Sequence, residues 1–148
     1  MTFRNGEYSL DNVRLKITTI QTVDDAGNED VIELVTEATR EHDTECIIIN
    51  YDESDITENQ GTKTRLKIYK NKLTMTKVGT FSSKMEFEKN KSYSNFYSTP
   101  YGTFDLDFST IIYNNELNEQ GDGSVYVEYK IIFGGSYESL NKMKIDIF

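Results

Sequence analysis

The sequence is short of several residue types, and each shortage excludes a class of protein. Its one cysteine, Cys46, has no partner within the chain for a disulfide. No stretch approaches the ~20 consecutive apolar residues of a membrane helix. The first residues, MTFRNGEYSL, lack the apolar run of a secretory signal. These features predict a protein of the reducing cytoplasm that does not insert into a membrane.

Basic residues are also scarce. Lys and Arg number 16 against 25 Asp and Glu, which gives a net charge of -9 at pH 7. Most of the surface should therefore repel nucleic acid and anionic lipid, so neither is a predicted partner. The 148 residues, 36% of them hydrophobic, are enough for one domain with its own core. We predict a single domain over residues 1–148, with residues 1–12 irregular.

Helix-forming residues are few, whereas β-branched residues are abundant. The chain has 2 Ala and 8 Leu against 14 Ile, 16 Thr and 7 Val, and it has one Pro. Apolar and polar residues alternate in many short runs, such as Phe104, Leu106 and Phe108 with the residues between them. Such runs predict an all-β fold, an antiparallel meander that closes into a barrel of eight to ten strands. A break in the alternation after Ile17 predicts a β-bulge at residues 18–19.

Four short motifs occur in an order that resembles one protein family. They are Gly61-Thr62-Lys63-Thr64, Lys77-Val78-Gly79, Met85-x-Phe87, and Tyr97-x-Thr99-Pro100-Tyr101-Gly102 followed by Thr110. Through this order, the chain resembles the bacterial YwiB-like family from Leu15 to Phe148. The resemblance implies a cytoplasmic, calycin-like or lipocalin-like β-barrel whose biochemical function is not established. The family usually has Arg where this chain has Lys77, and Lys lacks the planar fork for a bidentate contact.

Residues that commonly catalyse reactions or bind metals form no recognisable motif in this sequence. His42 and Cys46 are too few for a zinc site, and Cys46 begins an apolar run typical of a buried strand. Asp105 and Asp107 lie two apart on one strand face, which is more typical of plain surface than of a glycosidase pair. The acidic clusters Asp24-Asp25 and Asp52-Glu53-x-Asp55 lack the spacing of a calcium loop and are predicted to form solvated turns. We predict no catalytic residue, no metal and no cofactor, so an enzyme is the least favoured function.

One stretch of the chain has the opposite charge to the rest. Between residues 59 and 85 there are seven basic residues and no acid. Lys63, Arg65 and Lys67 alternate along one predicted strand, and the next strand could bring Lys77 beside them to form an anion site. The alternative is that these residues form a solvated strand face.

Two functions remain open for such a barrel. In the first, it binds a small amphipathic or anionic ligand in or at its mouth, with basic and tyrosine side chains orienting the polar end. The candidate ligand-binding residues are Lys63, Arg65, Lys67, Lys77, Tyr97, Tyr101 and Tyr129. In the second, the barrel has a filled core and is a structural or protein-interaction module without a small ligand. The oligomeric state stays open.

The apolar residues 47–49 that follow Cys46 predict a buried, unreactive thiol. Labelling of the native protein with 5,5′-dithiobis(2-nitrobenzoate) should be at least ~100-fold slower than labelling in denaturant, because the reagent reaches only the exposed thiolate. The rates are measured from the absorbance of the released thiolate. Similar rates in the two conditions would contradict burial and reopen a Cys–His pair.

Overall fold

The computed structural model of the protein describes residues 10–22, 26–53, 61–79, 82–133 and 137–148. These residues form ten strands. The strands are β1 (Leu10–Thr22), β2 (Glu29–His42), β3 (Cys46–Asp52), β4 (Lys63–Tyr69), β5 (Lys72–Val78), β6 (Ser83–Glu88), β7 (Ser92–Thr99), β8 (Gly102–Asn115), β9 (Gly123–Phe133) and β10 (Tyr137–Ile147). No helix, and so none long and apolar enough to cross a membrane, occurs in the described ranges.

All ten strands belong to one antiparallel sheet. Its order is β6-β5-β4-β3-β2-β1-β10-β9-β8-β7, so each pair of neighbours except β1 and β10 is also consecutive along the chain. β1 pairs with β10 over residues 15–21. The two edges of the sheet meet where Ser82, next to β6, and Ser98 of β7 exchange two backbone hydrogen bonds of 3.0 Å. The sheet closes into a barrel, and this confirms the predicted fold.

Alternation along each strand separates the interior of the barrel from its surface. Along β9, Val125, Val127 and Tyr129 are buried, and the residues between them are less buried. Successive side chains of a strand point to opposite faces of a sheet, so one face of each strand lines the interior. Full burial of an aliphatic side chain such as Leu15 or Ile49 stabilises the fold by roughly 1.5–3 kcal/mol.

A loop and a buried arginine close one end of the barrel. The loop, residues 116–122, connects β8 to β9, and its Leu117 packs against the core. The Arg40 guanidinium of β2 donates to both carboxylate oxygens of Asp11, at 3.0 and 2.6 Å, and to Asp122 of the loop at 2.6 Å. These hydrogen bonds hold the pKa of Asp11 below its ordinary value and raise the pKa of Arg40. The arginine thereby joins β1, β2 and the loop.

Hydrogen bonds to main-chain carbonyls join the same closed end to the β4–β5 turn. The Tyr113 hydroxyl contacts the carbonyl oxygens of Tyr69 and Lys72 at 2.7 and 2.9 Å, and the Asn115 amide donates to Tyr69 at 3.0 Å. The opposite end of the barrel, where β1, β3 and β5 end, is called the mouth below.

Two local predictions were wrong. The β-bulge predicted at residues 18–19 does not occur, because β1 pairs without interruption with β2 and β10 through these residues. The apolar alternation breaks there because Thr19 is an inward-facing polar residue at the mouth. A register shift instead lies in β8, between Thr110 and Ile112. Residues 10–12, predicted to be irregular, belong to β1, and the remainder of that segment lies outside the described residues.

Gly79 and Gly102 have similar φ values but different surroundings. A comparison of the two therefore measures the effect of a close backbone approach at the mouth. Gly79 has φ +136° and Gly102 has φ +138°, values that L side chains rarely adopt. A Cβ at Gly79 would collide with the carbonyl oxygen of Gly61, whereas a Cβ at Gly102 would meet no described atom within 4 Å.

Gly102→Ala should therefore cost only the backbone strain, of order 1–3 kcal/mol in the free energy of unfolding. Gly79→Ala should cost a further ~1–3 kcal/mol, because the main chain must move to accept the methyl group. Urea unfolding followed by far-ultraviolet circular dichroism measures both losses. Equal losses would show that the approach of Gly79 to Gly61 does not constrain the mouth.

Candidate functional site

A cavity of about 520 Å³ lies inside the barrel at its mouth. Seven strands contribute to its walls, and Glu53, which directly follows β3, completes them. The lining residues are Ile17, Thr19, Ile32, Leu34, Tyr51, Glu53, Met75, Lys77, Met85, Tyr129 and Met143. The volume falls within the roughly 300–1,000 Å³ of sites that hold small organic molecules.

Most of the cavity wall is apolar. Ile17 and Leu34 are buried on the inner faces of β1 and β2, and methionines come from three other strands, as Met75, Met85 and Met143. Methionine side chains are unbranched and polarizable, so they adapt to ligands of different shape. The cavity walls can therefore adapt to apolar molecules of different shapes.

The polar groups of the cavity are concentrated on the β3–β5 side. Ile49 and Tyr51 are inward residues of β3, and the same alternation turns Glu53 inward. The Lys77 ammonium lies 2.6 Å from the Glu53 carboxylate; the Glu53 side chain is 4% exposed and that of Lys77 is 18% exposed. Thr64 of β4 pairs with both Tyr51 and Lys77 in the strand register, and it is buried. A buried ion pair thus lies beside two hydroxyl groups.

Two tyrosines of the cavity keep their protons at neutral pH. Burial, with the negative charge of Glu53, raises the pKa of Tyr51, and burial raises the pKa of Tyr129 to about 12. The Tyr129 ring packs against Phe87 with centroids 4.6 Å apart. The residue is buried and lines the cavity. Tyr129 can therefore donate a hydrogen bond to a bound molecule.

The four predicted cations lie on two different faces of the sheet. Lys63, Arg65 and Lys67 alternate with buried residues of β4 and lie on its outer face. Lys77 pairs with inward-facing Thr64, so it faces the cavity. The anion site predicted from all four together does not form, because the β4–β5 register places Lys77 on the opposite side from the other three.

The outer cations have polar neighbours of their own. The Arg65 Nε donates to the Asn50 side chain at 2.9 Å, and Lys63 lies directly opposite Asp52 in the β3–β4 ladder. A depression on this face is lined largely by threonines and by these polar and charged residues. This is the arrangement of a solvated strand face. A role for Lys63, Arg65 and Lys67 in ligand binding stays a prediction.

The three predicted tyrosines also lie in different parts of the molecule. Tyr129 lines the cavity. Tyr101, in the turn between β7 and β8, is 91% exposed and does not line it. The backbone of Tyr97 pairs with Phe104, and the Tyr97 side chain lies outside what the structure describes.

Neither of the other motifs considered from the sequence forms a reactive centre. Cys46 is buried, and burial raises the pKa of its thiol, which lowers its reactivity. Asp105 and Asp107 alternate with the buried residues of β8 and so lie on its outer face. No cluster of three or more His, Cys, Asp or Glu side chains suited to a metal occurs among the described residues.

Sequence reasoning missed Glu53, the acidic partner of Lys77. The acids around it suggested a solvated turn, but counting by two from the apolar Ile49 and Tyr51 leads to Glu53 as the next inward residue. The same counting from Met75 leads to Lys77. The usable signal was a charged residue that continues an apolar alternation on each of two strands.

Removal of one partner should show how strongly the buried pair is coupled. Lys77→Met leaves the Glu53 carboxylate buried without its cation and should lower the free energy of unfolding by roughly 3 kcal/mol. The double variant Glu53→Gln/Lys77→Met should recover most of that loss, because it leaves no buried charge. Urea unfolding at pH 7 measures both.

The matched control is Lys16→Met, which breaks the exposed pair of Lys16 with Glu33 at 3.8 Å and should cost less than ~1 kcal/mol. A loss from Lys77→Met no larger than that from Lys16→Met would contradict tight coupling at the mouth.

Comparison with known proteins places the chain in a family. Residues 15–145 match the family described as a domain of unknown function, DUF1934, and no curated protein matches the chain. The fold is similar to the crystal structure of ywiB protein from Bacillus subtilis, with a TM-score of 0.72 and 17% identity over 93% of this chain and 92% of that one. The resemblance predicted from the sequence motifs is confirmed. Because the family match spans most of its length, the chain belongs to the DUF1934 family.

Proposed function

We propose that the protein binds a small amphipathic molecule in the cavity at the mouth of the barrel. The observation that carries this proposal is an apolar cavity of about 520 Å³ into which a few polar groups point. Such a combination is typical of small-molecule sites, where apolar walls supply affinity and polar groups set orientation. We also propose a cytoplasmic location, which the lone buried cysteine supports.

The polar groups of the cavity support binding over a filled structural core. Burying the Glu53–Lys77 pair costs desolvation energy that well-packed apolar residues would avoid. A ligand that contacts this pair would offset that cost. A structural or protein-interaction barrel without a ligand is the alternative function, and it predicts that no small molecule enters.

The cavity can be tested with N-phenyl-1-naphthylamine, an uncharged probe whose fluorescence rises in apolar surroundings. Titration of the protein should give a saturable rise. Thr19→Trp should weaken binding by at least ~10-fold. The indole side chain would occupy part of the cavity at the mouth, and the closely packed side chains around it leave no other place for the indole. Thr18→Trp is the matched control, since Thr18 is the neighbouring residue and points to the outer face of β1.

The outer row of cations provides a second control. The triple variant Lys63→Gln/Arg65→Gln/Lys67→Gln should bind the probe as the unaltered protein does, because these residues lie outside the barrel. Failure of the unaltered protein to bind, or equal losses from Thr18→Trp and Thr19→Trp, would contradict the proposal and favour a barrel with a filled core.

A further inference from the structure

We infer that the cavity prefers ligands whose polar end has no net charge and offers a hydrogen-bond donor beside an acceptor, as a primary amide does, over carboxylates of the same length. This inference rests on the proposed function and adds the chemical class of the ligand. It follows from the charges of the cavity wall and from the position of Tyr129.

The charges of the described cavity wall cancel. Glu53 and Lys77 are the carboxylate and the amine among its described lining residues, and their charged atoms are already 2.6 Å apart. A carboxylate ligand would bring a second anion to a place with one cation. Because the surroundings are largely apolar, the repulsion between the two anions would be poorly screened. An ammonium ligand would be repelled by the Lys77 cation in the same way.

A neutral head group with a donor and an acceptor avoids this conflict. Its N–H can donate to the Glu53 carboxylate while its carbonyl accepts from the Lys77 ammonium, so the ion pair stays intact. The ligand then adds hydrogen bonds to charged groups without adding charge. An amide can make both contacts, whereas an alkane can make neither.

Tyr129 supplies an independent indication. It is buried, and it lines the cavity. The hydroxyl stays protonated at neutral pH because burial raises its pKa to about 12. A buried donor of this kind favours a ligand with an acceptor atom.

The test compares octanamide, octanoic acid and octylamine as competitors of N-phenyl-1-naphthylamine at pH 7. Octanamide should displace the probe at an at least ~10-fold lower concentration than either charged ligand, because it alone leaves the charge of the cavity unchanged. Glu53→Gln leaves the Lys77 cation uncompensated, so the concentration of octanoate needed to displace the probe should fall by at least ~10-fold, while that of octanamide changes little.

Glu33→Gln is the matched control for Glu53→Gln. It removes the same charge from the outer face, where Glu33 lies 3.8 Å from Lys16, and it should leave the order of the three ligands unchanged. A shift from Glu33→Gln as large as that from Glu53→Gln would overturn the inference, because overall charge and not the cavity pair would then set the preference.

A measurement on the unaltered protein covers the case in which Glu53→Gln does not fold. If only the neutral acid enters, the apparent affinity for octanoic acid should rise about tenfold for each unit that the pH falls from 8 to 6, since its carboxyl pKa is about 4–5. Octanamide should show no such slope. Octanoate that binds as well as octanamide, without a pH slope, would overturn the inference while leaving the proposed function intact. Failure to bind the probe at all would overturn both.

Discussion

The width of a ten-stranded barrel is the constraint on which the other features depend. Eight strands enclose a space that side chains can just fill, and ten strands enclose more. At the closed end the added space is taken by the loop 116–122, which the buried Arg40 anchors through Asp122. In the middle, large side chains such as Phe87 fill it. At the mouth the added space remains open and forms the cavity.

The buried ion pair shows how this molecule combines stability with a polar site. An apolar pair of similar size at the positions of Glu53 and Lys77 would serve the core at least as well. The charges are nevertheless held tightly, because Glu53 also donates its backbone N–H to the Thr62 carbonyl at 2.9 Å. Features that break the local rules of packing are concentrated at functional sites in natural proteins. In this barrel such features lie at the mouth, where we propose the binding site.

The fold could be predicted from the sequence because alternation by two is a local property. Val125, Val127 and Tyr129 identify the inner face of β9 without knowledge of any other strand. The site depended on which residues of neighbouring strands lie opposite each other. The sequence of a single strand does not reveal this. Alternation from Met75 turns Lys77 inward, but the pairing of β3, β4 and β5 decides that Glu53 lies beside it. Register of this kind is set by turn geometry together with the hydrophobic pattern of both strands.

The position of the β1–β10 ladder has a consequence for how the protein folds. The strands β1 to β6, and separately β7 to β10, can pair as successive hairpins from neighbouring parts of the chain. The ladder that joins β1 to β10 pairs residues from nearly opposite ends of the sequence, such as Leu15 with Ile147, and such distant pairing is slow because a long loop must close first. Met75 belongs to the first group of strands, whereas Tyr129 and Met143 belong to the second. The cavity therefore forms only when the two halves join, and neither half alone contains it.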